Sequence, residues 1–165
     1  MDKENRFQEH NSIDKKYSGY LQHIEDSIIS GIKKSDIRMY NPSILAYVGD
    51  SVYELFVRTL VVSGGNTRVS KLHNKAVLFV KAKAQAEMVE KLESYLTEEE
   101  KDVVRRGRNA KTTSMPKNAQ LAEYKQATGF EALLGYLYLN NCMGRLMEIL
   151  HLIVEMSYDD NHKKI

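Results

Sequence analysis

Apolar residues recur along most of this chain at spacings of three and four, and alternating β-branched runs are nearly absent. That pattern predicts an all-α domain, and only two prolines and nine glycines interrupt it. In "YLQHIEDSIISGIKKSDI", Leu21, Ile24, Ile28, Ile29 and Ile32 form the apolar stripe of an amphipathic helix, preceded by a polar tail over residues 1 to about 16 that is expected to be disordered. Asn41-Pro42 predicts a helix start, since proline's missing N–H is no loss in a first turn. That helix should run to about Val62 and break at Gly64 and Gly65. The periodic stretch from about Arg68 to Leu96 is long enough to be kinked or split. Thr97 and Glu100 have capping-box spacing and open a helix ending near Gly107. The polar run "GRNAKTTSMPKN" then predicts a loop, a long helix follows from about Asn118 to Asn140, and "MGRLMEILHLIVEM" predicts a last amphipathic helix. No internal repeat or linker marks a second folded domain.

Length and composition narrow the class. At 165 residues the chain can bury about two-thirds of its surface without staples. A single cysteine, Cys142, rules out a disulfide framework or a multi-cysteine zinc site within one chain and suits a reducing compartment. The N-terminal twenty residues lack the apolar core of a signal peptide, and no stretch approaches 18 uncharged apolar residues. The expectation is a cytoplasmic protein. The formal net charge of +2 decides little; the placement of the charges decides more.

Two of the most apolar segments each carry an odd carboxylate. Asp50 sits near the middle of "NPSILAYVGDSVYELFVRTL", and Glu131 is the lone charge of "ATGFEALLGYLYL". Ionised carboxylates are rarely taken from water unless paired or bound to a metal. Two of them on separate helices can converge where those helices pack. Magnesium suits such a site, because it dehydrates reluctantly and takes one or two carboxylates plus waters. It can also activate water and steady charge on a phosphodiester. Glu54 shares a face with Asp50, four residues away, but Arg58 lies four further on and offers Glu54 an ordinary ion pair.

Two segments are purely cationic. Thr67 to Gln85 carries Arg68, Lys71, Lys75, Lys81 and Lys83 with no acid, a run that a solvated face explains well. Val103 to Leu121 carries Arg105, Arg106, Arg108, Lys111 and Lys117, again with no acid, in a polar stretch containing Asn109 and Asn118. Hydroxyl and amide donors among cations suit a phosphate backbone. These residues make the stretch a candidate nucleic-acid grip.

Together these motifs resemble the ribonuclease III catalytic domain, and specifically its Mini-III branch. "LAYVGDSVYE" looks like the signature helix, "GFEALLGYLYL" like the second acidic helix, and "RRGRNAK…PKNA" points to Mini-III. The resemblance covers roughly residues 38 to 156, giving a catalytic domain over 38–156, an N-terminal tail and helix over 1–37 and a polar tail over 157–165. It implies an all-α, magnesium-dependent endoribonuclease that cuts double-stranded RNA as a homodimer. It further implies maturation of the ends of large-subunit (23S) ribosomal RNA precursor, with a large-subunit ribosomal protein as helper and without the separate RNA-binding domain of longer relatives. By the same resemblance Asp50 and Glu131 are the metal-binding, catalytic carboxylates. Two positions depart from the longer members: Ala46 and Thr128 stand where those carry acids.

Two rival readings remain at this level. One is a catalytically inactive double-stranded RNA-binding module of the same fold, which Ala46 and Thr128 make plausible. The other is a helical DNA-binding or scaffold protein in which Gly129, Ala132 and Gly135 merely let helices approach. The apolar content of the two motif helices also predicts a homodimer, with Tyr47, Phe56, Phe130 and Tyr136 as candidates for contact or, individually, for the core.

Overall fold

The computed structural model describes residues 37–111 and 120–162, the side chains of 158–162 excepted. The tail and amphipathic stretch before Ile37, together with Lys117 and Asn118, lie outside the described residues. From Pro42 onward, six α-helices follow one another among the described residues: α1 (Pro42–Ser63), α2 (Val69–Val80), α3 (Ala82–Leu92), α4 (Glu98–Arg108), α5 (Leu121–Leu139) and α6 (Met143–His162). There is no strand among the described residues, so the all-α expectation holds.

Local signals set most boundaries. The Asn41 side chain accepts a hydrogen bond from the Ser43 N–H at 3.0 Å and Pro42 follows it, which starts α1. Gly64 ends α1, and Gly65 adopts φ +118°, a conformation glycine takes without strain. The long periodic stretch that follows is split. Lys81 turns extended (φ −66°, ψ 144°) between α2 and α3, and a single 3₁₀ turn over Glu93–Tyr95 closes α3. The Thr97 and Glu100 capping box is present in full: Glu100 accepts from the Thr97 N–H at 2.8 Å, and Thr97 from the Glu100 N–H at 3.3 Å. Helix α4 includes Arg105, Arg106 and Arg108 in its last turn, so these lie on a helix end rather than in a loop. Helix α6 continues past Met156 into the polar residues expected to be a tail.

Helix α5 is the centre of the fold. It is buried on nearly every side, the mark of a helix enclosed by others; α1, α3 and α4 pack along it, with α6 beside them. Two glycine contacts bring α1 and α5 together backbone to backbone. A Cβ on Gly49 would lie 1.8 Å from the Glu131 carbonyl oxygen, and one on Gly135 2.0 Å from that of Leu45. A second pair joins α4 to α5, where a Cβ on Gly107 would lie 2.8 Å from the Gly129 Cα. Tyr53 of α1 and Phe130 of α5, both fully buried, meet edge to face with ring centroids 5.0 Å apart.

The candidate contact aromatics divide. Phe130 and Tyr136 are core residues, Phe56 is half-buried, and Tyr47 is 79% exposed. Ile37, assigned by sequence to the preceding segment, is fully buried and belongs to this core. No described helix is long and apolar enough to cross a membrane.

Candidate functional site

The close approach at Gly49 has a direct consequence for charge. Gly49 rests on the backbone of Glu131, and Asp50 is the next residue. The two carboxylates that sequence singled out are therefore brought to one place by the tightest backbone contact between their helices. Both line a cavity of about 340 Å³ between the α1 and α5 faces and the end of α4.

Helical spacing explains what faces it. Ser43, Tyr47 and Asp50 recur at four and three residues on α1, and Tyr124, Thr128 and Glu131 do so on α5. The wall nearest α4 adds cations: Arg108 from the end of α4, Lys111 three residues beyond it, and Lys125 from α5. Ala46 and Thr128 line the same cavity, so neither departure supplies charge there. Ala46 is buried, and the Thr128 hydroxyl donates to the Tyr124 carbonyl at 3.0 Å.

The two carboxylates differ in surroundings. Asp50 is exposed, not enclosed by the apolar segment that carries it, because α1 buries the Leu45, Ala46, Gly49, Tyr53, Val57 and Val61 stripe and Asp50 lies off it. Partial desolvation, then the Glu54 charge, hold its carboxyl above the ordinary range. Glu131 is more withdrawn. Burial first, and the Asp50 charge second, push it up to about 7, while a side-chain hydrogen bond from Gln85 pulls it partly back. A like-charge pair of this kind is relieved by a cation placed between the two. The open side toward Asp50 suits one that keeps its waters. Among the described residues no group of three or more His, Cys, Asp or Glu side chains is arranged to hold a metal. The donor set is thus the carboxylate pair, which fits magnesium and gives no zinc-like cage.

The basic segment separates into two groups. Arg105 pairs with Asp102, while Arg106 reaches Asp102 at 3.4 Å and donates to the Arg38 carbonyl at 2.7 Å. Arg106 therefore ties the segment before α1 to α4. Arg108 and Lys111 line the cavity that holds the carboxylates instead, and Asn109 caps α4 at an exposed position. Glu54 takes the ion pair expected of it, at 2.6 Å from Arg58, and does not line the cavity.

Sequence reasoning missed Lys125, Tyr124 and Gln85. The spacing of Tyr124, Thr128 and Glu131 was a signal for the second. An uncharged amide between Ala84 and Ala86 was a signal for the third.

Comparison with known proteins follows the same outline. The ribonuclease III domain profile matches residues 43–141. A Mini-ribonuclease 3 from Thermoanaerobacter is 45% identical over 144 residues, covering 87% of this chain and 98% of that protein. One from Clostridium tetani is 48% identical over 124 residues, covering 74% and 82% respectively. Among solved structures, a protein from Fusobacterium nucleatum superposes with a TM-score of 0.66 at 31% identity, over 74% of this chain and 98% of its own.

Proposed function

This chain belongs to the ribonuclease III family, and from that premise we propose that it is a magnesium-dependent endonuclease for double-stranded RNA that matures the ends of large-subunit ribosomal RNA precursor. Its standing as an endoribonuclease follows from the family. The finer reading rests on one observation: Asp50 and Glu131, from separate helices, share a cavity rimmed by Arg108, Lys111 and Lys125.

Each residue has a task on this reading. Asp50 and Glu131 would hold the divalent ion, which when bound supplies an activated water and stabilises charge on the phosphodiester. Asp50, on the exposed side, leaves that ion open to water and to substrate. Arg108, Lys111 and Lys125 hold the phosphate backbone beside it, so the scissile group is oriented before reaction. The packed glycine crossing keeps both carboxylates on rigid backbone. Duplex RNA hides its base edges in a narrow major groove, so recognition runs through shape, phosphate and 2′-hydroxyl contacts. The strands of a duplex are antiparallel, and a two-fold dimer offers one site to each. The exposed apolar residues Ile44, Tyr47 and Leu55 on α1 suit such an interface. A large-subunit ribosomal protein as helper completes the proposal.

The test is incubation of purified protein with a base-paired precursor ribosomal RNA stalk, with and without magnesium. Defined cuts only with the metal are expected. Tight duplex binding without cleavage at any magnesium concentration would instead identify an inactive binding module.

A further inference from the structure

Gln85 is 1% exposed and stands on the first turn of α3, the helix that begins only after the extended break at Lys81. Ala84 and Ala86 on either side are also buried, so α3 lies close against α5. The Gln85 side chain hydrogen-bonds to the Glu131 carboxylate. That bond favours the ionised carboxylate, which only accepts, so it is the Gln85 amide nitrogen that faces it. Its other end, Oε1, is enclosed and has no hydrogen-bond partner among the described residues.

Stability does not account for this residue. A buried amide with one end unsatisfied is a net cost to folding, and methionine or leucine would fill the same space without it. Charge balance does not account for it either. A lysine at this position would neutralise Glu131 and compete with a cation for the carboxylate. A neutral amide does neither: it fixes the orientation of the carboxylate and leaves its charge available.

We propose that Gln85 is a positioning residue, whose amide clamps one Glu131 oxygen from the α3 side and so presents the other toward Asp50 for a divalent cation. The inference rests on the metal-site reading given above. Partners that orient a ligand in this way typically carry about 10- to 100-fold in metal affinity or activity.

The test measures manganese(II) chloride binding by calorimetry to the RNA-free protein, beside its melting temperature and duplex cleavage. Gln85→Met should keep or raise the melting temperature and weaken manganese binding by about 10- to 100-fold. It should also lower kcat at fixed magnesium, with KM for duplex RNA unchanged. Gln85→Leu repeats the test with a stiffer side chain. In the unsubstituted protein, the Gln85 side-chain amide resonances should shift when magnesium is added, a readout that needs no variant. A Gln85→Met protein that binds manganese as the parent does would overturn the proposal, as would amide resonances indifferent to magnesium. Asp50→Asn and Glu131→Gln serve as controls for the underlying reading. If these two also keep full manganese affinity and cleavage, the metal-site reading itself fails. If they lose both while Gln85→Met loses neither, only the positioning role is wrong.

Discussion

Glu100 and Glu131 are glutamates withdrawn from solvent on neighbouring helices, and they meet opposite surroundings. Glu100, 5% exposed, is surrounded by donors. Arg145 Nε reaches it at 2.8 Å and Arg145 Nη2 at 3.0 Å, and the Thr97 N–H completes the shell at 2.8 Å. Burial pushes its carboxyl up, but the Arg145 hydrogen bond, the Thr97 N–H and the Arg145 charge outweigh it, and the net shift is downward. Glu131 has one neutral donor, Gln85, and a second carboxylate for a neighbour, and it is pushed up to about 7. The first is a carboxylate the fold has satisfied. The second is one the fold has left beside a like charge with a single neutral donor. Burial alone therefore does not set a carboxyl's protonation; the partners do.

Substitution should separate the two most sharply in activity. Glu131→Gln and Asp50→Asn should retain fold and duplex binding, since shape and volume barely change. Cleavage should fall on the order of a thousandfold, equivalent to ~4 kcal/mol of barrier, because an amide is a poor magnesium ligand. Glu131→Gln should be partly rescued by manganese or higher magnesium. Single-turnover cleavage of a labelled duplex measures this, and parent-like cleavage by Asp50→Asn would collapse the contrast.

The converse experiment acts on stability. Glu100→Ala removes the more buried carboxylate partner of Arg145, which keeps Glu148 and the Tyr95 carbonyl, and such a loss costs about 1–3 kcal/mol. Denaturant unfolding should show that loss. The fraction that remains folded should still cleave duplex RNA, since Glu100 does not line the cavity.

The two glutamates also predict opposite responses to pH. With a folded pKa of about 7 against an ordinary 4.5, Glu131 keeps a proton in the folded state that it sheds when unfolded. The stability contributed by that proton is fully present below pH 4.5 and is lost as pH rises through about 7, by up to ~3 kcal/mol in metal-free protein. Asp50, also raised, acts with the same sign. Glu100 is lowered, so its contribution is present above its ordinary value and disappears as pH falls through its folded pKa. Thermal melts across pH in a chelator should show the Glu131 decline, and Glu131→Gln should flatten it. Magnesium should stabilise most on the alkaline side.

A smaller effect separates the cations. Replacing Arg108 and Lys111 together by alanine should lower the salt-dependence slope of duplex binding by roughly one per cation removed. Arg106→Ala should instead lower the melting temperature, because Arg106 holds the Arg38 carbonyl. Binding titrations at several salt concentrations distinguish these. An Arg106→Ala variant with full stability and a reduced slope would restore it to the gripping group.

What could be read in the chain before folding was whatever depends on residues within one helical turn. The Asn41-Pro42 start, the Gly64 stop, the Thr97–Glu100 box and the Glu54–Arg58 pair all involve partners no more than four positions apart, and spacing alone dictates them. The two unusual carboxylates were also legible, because a charge in an apolar segment is visible without a fold. What remained hidden is every relation set by packing. Asp50 and Glu131 meet because Gly49 lets α1 touch the backbone of α5, and no local signal says which glycine will lie against which carbonyl. The Arg145 clamp on Glu100 and the Gln85 clamp on Glu131 span dozens of residues, and each exists only because a third helix docks at one register. Arg106 and Arg108 are alike in sequence and two positions apart, and the turn of α4 sends one toward Arg38 and the other to the wall of the cavity. The chemistry available to the molecule is written in its residue types. Which carboxylate keeps that chemistry unsatisfied is decided by the helices around it, because only tertiary contacts determine who donates to whom.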